Sequence, residues 1–193
     1  MIKLATPALL LLLAGCISFS PKPPPSLLTL RSTAEPGVGT SERTAGAPTI
    51  QITSPSVPQE IATLRVPVRS SATTVAYLKD AQWVEPVNRQ FQRLLSDTLT
   101  ARTNRVVVSD RQFGVEVGAS LGGELRAFGV DAATGEAVVT YDATLIRGAG
   151  APLEKRRFEA RLAVPLVEVG PVGVALNEAA NRVAGDVAEW VGR

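Results

Sequence analysis

Apolar side chains recur along this chain in two rhythms, and the switches between them predict its elements. Every second position marks a half-buried strand, because successive strand side chains point to opposite faces. That period runs through residues 26–31, through 49–53 with Ile50 and Ile52 inward, through 61–69 with Leu64, Val66 and Val68 on one face, and through 73–78. Pro67 has no amide hydrogen to give a ladder, which predicts that the 61–69 strand is an edge or ends there. Lys79-Asp80 predicts a turn. Steps of three and four residues take over in 83–102, where Val84, Val87, Phe91, Leu94, Leu95 and Leu99 share one face of a helix. Pro86 then falls within the first turn, where its missing donor does little harm.

A buried strand is predicted at 105–109, followed by three more at 118–130, 137–147 and 153–164. The 131–136 link reads as a hairpin connection, so these three form a meander. Gly118, Gly122 and Gly123 match neither nucleotide-loop pattern and precede no helix; they predict a bulge or a close backbone approach. Lys155, Arg156 and Arg157 read as a charged strand end that discourages edge pairing, with a lipid-headgroup patch as the sharper alternative. Residues 172–191 repeat the helical period through Leu176, Ala180, Val183, Val187 and Trp190. The expected fold is α+β in two layers, a mainly antiparallel sheet with two amphipathic helices packed on one face.

The first 25 residues follow other rules. The apolar run from Leu4 to Ala14 follows Lys3 and is far shorter than the roughly 20 residues that span a bilayer, so residues 1–15 read as a signal peptide. Leu13, Ala14 and Gly15 precede Cys16 as in a bacterial lipobox, in which the thiol receives a diacylglycerol before cleavage and the new amino terminus an N-acyl chain. A plain secretory signal with an incidental cysteine is the blander reading. Residues 16–25, ending in Pro21-Lys-Pro-Pro-Pro25, form a semi-rigid tether. Ile17 stands where an aspartate would retain a lipoprotein in the inner membrane, which favours the outer membrane. Residues 26–193 then make a single periplasmic domain, with 31–48, rich in Gly, Pro, Ser and Thr, as a flexible insertion.

Composition narrows the chemistry. The 193 residues include no histidine and one cysteine. Without an imidazole or a second thiol there is no Ser-His-Asp triad, no Cys-His pair and no His ligand for zinc, so neither a catalytic residue nor a metal site is assigned. A carboxylate pair is formally open, but the acids lie singly on polar faces. Removing residues 1–15 takes only Lys3 among the charges and leaves 19 Lys and Arg against 18 Asp and Glu. That balance gives no footprint for nucleic acid. Arg89, Arg93 and Arg102 are interleaved with acids and amides and read as a solvated helix face. No cofactor is expected beyond the lipid on Cys16.

The lipobox, the tether, the paired strands, the run Trp83-Val-Glu-Pro86 opening an apolar helix, the meander and the helix ending in Trp190 together resemble the ABC-type transport auxiliary lipoprotein family. Its best-known branch is PqiC. Trp83, Glu85 and Pro86 match the family signature, with a structural role, seating the helix on the sheet, as the first reading. The chain departs from the family in its 31–48 insertion and in Leu27-Leu28, where aromatics are frequent. The resemblance implies a non-catalytic outer-membrane lipoprotein that works with an MCE-domain protein and an ABC permease to move phospholipid or other hydrophobic cargo. An activator or assembly factor of a cell-envelope enzyme complex is the alternative. Exposed sheet edges suggest a homo-oligomer.

Overall fold

The computed structural model describes residues 26–34, 37, 39, 47–108 and 117–193. The expected signal peptide, Cys16 with its expected lipobox, the expected tether and most of the 31–48 stretch lie outside the described residues. The elements are β1 (Thr49–Ile52), β2 (Arg65–Arg69), β3 (Val75–Gln82), α1 (Val87–Arg102), β4 (Val106–Val108), β5 (Ala119–Asp131), β6 (Glu136–Ile146), β7 (Leu153–Ala163) and α2 (Val169–Gly192).

The meander forms as the alternation requires. β6 pairs antiparallel with β5 from Ser120–Ile146 to Asp131–Glu136, and β7 pairs antiparallel with β6 along its full length. Because β6 fills one edge of β5, β1 and β2 divide the other. β1 runs parallel to its start at Ile50–Ala119, β2 runs parallel to its end at Val68–Val130, and a single Ser56–Glu124 bridge lies between them. β4 adds parallel to β1, and β3 antiparallel to β2. The α+β class therefore stands, and the long ladders of the seven-stranded sheet are antiparallel as expected, but the sheet is mixed, because β1, β2 and β4 add parallel pairs.

Two local expectations give way for related reasons. β2 lies between β3 and β5 and is not an edge, despite Pro67. The ladder is irregular between Arg65 and Pro67, where Arg65 faces Gln82 but Pro67 faces Tyr77, so the register shift absorbs the missing donor. Lys79-Asp80 is not a turn either. The strand continues through it to Gln82, with Asp80 in the left-handed region at φ 57° inside the same irregularity. Residues 61–64 are not strand: the Ile61 amide donates to the Pro58 carbonyl to close a turn at 59–61, and 62–64 bend into β2.

Both helices cover one face of the sheet and pack against each other. That face supplies Leu121, Leu125, Val139, Tyr141 and Leu145, all buried. Two ring pairs join the layers, Phe91 with Tyr141 at 5.3 Å and Phe158 with Trp190 at 5.6 Å, and Trp83, just past β3, meets Phe128 of β5 at 5.5 Å. The Tyr141 hydroxyl donates to the Gly122 carbonyl at 2.5 Å, and burial pushes its pKa well above the ordinary phenol range. Gly123, at φ 141°, confirms the close backbone approach: a Cβ there would come within 2.1 Å of the Asp142 carbonyl oxygen.

The other face of the sheet is open and charged. Arg157 grips Asp142 through two bonds of 2.6 and 2.7 Å, and Arg161 reaches Glu159 at 2.7 Å. Lys155, Arg156 and Arg157 begin β7, which has a neighbour on one side only, so the charged end stands on a true edge strand.

Candidate functional site

Trp83, Glu85 and Pro86 lie ahead of the first helix, not within it. α1 starts at Val87 with Pro86 at its N-cap position, because a proline can precede the first turn without costing it a bond. Trp83 is 2% exposed and its amide donates to the Leu64 carbonyl at 2.7 Å. Glu85 points outward to Arg93, whose guanidinium hydrogen bond holds the carboxyl below its usual range. The Glu85 carbonyl accepts from Gln90 Nε2 at 2.9 Å. The three residues thus diverge, one into the core, one to solvent and one into the backbone turn, and they build a joint without forming a pocket.

What that joint carries is the start of the domain. Residues 26–31 do not form a strand. Leu28 alone bridges Trp83, its amide donating to the Gln82 carbonyl at 2.7 Å and its carbonyl accepting from Val84 at 2.9 Å. Beyond it the backbone leaves the sheet and runs along the seam between the two helices, held by side-chain amides. Gln90 of α1 accepts from the Leu30 amide, Asn177 of α2 from Arg31, and Asn181 of α2 from Thr33, each at 2.8 Å. Asn181 also donates from Nδ2 to the Arg31 carbonyl at 2.9 Å. Ser32 Oγ meets Thr98 Oγ1 at 3.2 Å in a buried contact. The first residues expected to belong to a flexible insertion are therefore pinned.

The track is a four-residue repeat on α2: Gly173, Asn177, Asn181 and Gly185 share one stripe. A Cβ at Gly173 would come within 2.7 Å of Leu28 Cδ2, and one at Gly185 within 2.9 Å of an Arg102 nitrogen, so the small residues let the strap and α1 approach. An open groove of about 790 Å³ runs beside this strap, lined among others by Arg31, Arg102, Arg182, Glu178, Asp186 and Glu189. Its three cations and three anions balance in formal charge. Among the described residues no group of His, Cys, Asp or Glu could hold a metal ion. Sequence reasoning missed Gln90, Asn177 and Asn181; the only signal available was the small-and-amide repeat at four-residue spacing on the polar side of α2.

The family described as ABC-type transport auxiliary lipoprotein component matches residues 28–188, from the strap to the last turns of α2. The chain belongs to this family. The family segment begins at Leu28, so the strap is part of the domain proper. Its fold is shared by protein XCC0632 from Xanthomonas campestris, with a TM-score of 0.69 at 16% identity over 86% of this chain and 94% of that one. An uncharacterized protein of known crystal structure matches with a TM-score of 0.66 at 17% identity, over 75% of this chain and 92% of the other. No curated protein matches the chain.

Proposed function

We propose that this auxiliary lipoprotein is anchored to the periplasmic face of the outer membrane through acyl chains on Cys16, and serves an ABC/MCE-type system that moves phospholipid or other hydrophobic cargo between membranes. Its part is docking or conduit, without catalysis. The observation that carries this reading is the family match over residues 28–188. The lipobox ending at Cys16 supports it, since more than one acyl chain gives stable attachment.

Chemical crosslinking of the full chain in membranes, followed by affinity purification, should recover an MCE-domain protein and an ABC permease. Recovery of a peptidoglycan synthase with neither of those would overturn the reading in favour of an envelope-enzyme activator. Cys16→Ser should give a folded but unacylated and misplaced protein, with transport lost; full transport by that variant would remove the anchor from the mechanism. Self-association belongs to the same proposal, and a strict monomer by mass in detergent would contradict it.

A further inference from the structure

Five of the eight large apolar side chains exposed among the described residues gather where the chain joins the domain. Val174 is 70% exposed, Leu166 58%, Val84 51% and Leu27 49%, with Val167 beside them. Backbone contacts bring them together. The Leu28 carbonyl accepts from the Val84 amide, so Leu27 and Val84 flank one bridge. Leu28 packs over Gly173, and Val174 is the next residue of α2. Leu166 and Val167 lead directly into that helix. None of these side chains carries a polar atom, whereas the open face of β5–β7 carries ion pairs. Single exposed apolar residues are ordinary on a soluble surface, but five gathered around one entry point of the chain mark a contact.

We propose that this rim is a lipid-docking surface, resting on the bilayer that holds the chain's own anchor. The proposal rests on the reading of Cys16 as the acylated residue. Ser26 follows Cys16 by ten residues, and an extended chain spans at most about 3.3–3.6 Å per residue, so Ser26 lies within roughly 35 Å of the acyl chains. Whatever stands exposed around Ser26 is thereby confined within that reach of the lipid at high effective concentration, and a patch too weak to bind membranes alone can bind when tethered. Leucine and valine at this rim would enter the interface shallowly, with the backbone hydrogen bonds of the Leu28 bridge already satisfied.

Cys16 is the sole cysteine, so in the acylated full chain a nitroxide attaches only at an introduced thiol. Val84→Cys, Val174→Cys and, on the open sheet face, Lys155→Cys are to be reconstituted into vesicles of phosphatidylethanolamine and phosphatidylglycerol. Labels at 84 and 174 should show several-fold higher accessibility to oxygen relative to a water-soluble nickel chelate than the label at 155. If intact mass shows acylated Cys16 while all three labels are equally water-exposed, this proposal alone fails. An unacylated Cys16 would overturn the anchoring reading and this proposal with it. Spin–spin broadening between copies, without lipid contact, would assign the rim to a second copy of the chain and overturn lipid docking.

Discussion

Trp83 and Glu85 belong to one short segment, yet their side chains face opposite environments and should respond very differently to truncation. Trp83 is buried against Phe128, so Trp83→Ala should destabilise the domain by about 3–5 kcal/mol, read as a lower urea midpoint. Glu85→Ala should cost less than about 1 kcal/mol, because its pair with Arg93 is solvent-screened. A larger loss at Glu85 than at Trp83 would contradict the packing described. On the open face, Asp142 and Glu159 are held below their usual range, the first chiefly by the Arg157 hydrogen bond and the second chiefly by the Arg161 hydrogen bond. Carboxyls depressed in the folded state add stability above their unfolded values, near 4, and lose it as pH falls through the lower folded values. Melting temperature should therefore fall on acidification from about pH 5 downward, and Asp142→Asn should flatten that limb while lowering stability at neutral pH.

At the level of elements, the strap is held by a few side-chain amides, so it can be loosened without disturbing the sheet. Asn181→Ala removes bonds to both the Thr33 amide and the Arg31 carbonyl and should cost about 1 kcal/mol. Hydrogen exchange at the Arg31 and Thr33 amides should quicken, while β5 and β6 keep their protection; uniform exchange across the domain would show that the strap is not a separable unit. The helices and the meander were legible in the sequence because each repeats a local period over ten or more residues. The strap was not, since residues 28–33 bond to positions up to 150 residues away and no local pattern encodes such pairing. β2 and β3 were misjudged at Pro67 and Asp80 because one register irregularity accommodates both. Of the candidate site, the residues of the Trp83–Pro86 segment could be named in advance, but the amides that use it as a joint could not.

The whole domain shares one core. Trp83 packs on Phe128 of β5, and Trp190, in the last turn of α2, packs on Phe158 of β7. Trp83→Phe and Trp190→Phe, each leaving one indole as reporter, should give unfolding curves that coincide with each other and with far-UV circular dichroism once each variant's own stability is allowed for. Separate transitions within one variant would divide the domain. At this scale the class of fold could be read from the sequence, whereas the parallel pairing of β1 and β2 on a shared edge of β5 depends on long-range closure that period alone does not specify.

The direction of the strap has a mechanical consequence. From Leu28 to Thr33 it advances along α2 in the same sense as the helix, from Gly173 to Asn181. A pull at Ser26 directed along that line would load the amide bonds to Gln90, Asn177 and Asn181 and the Leu28 bridge side by side in shear, so that they yield together instead of peeling one after another. Drag on the domain would thus be carried by its longest helix and its core, and the point where the chain meets the fold is also the point best built to resist being torn from it.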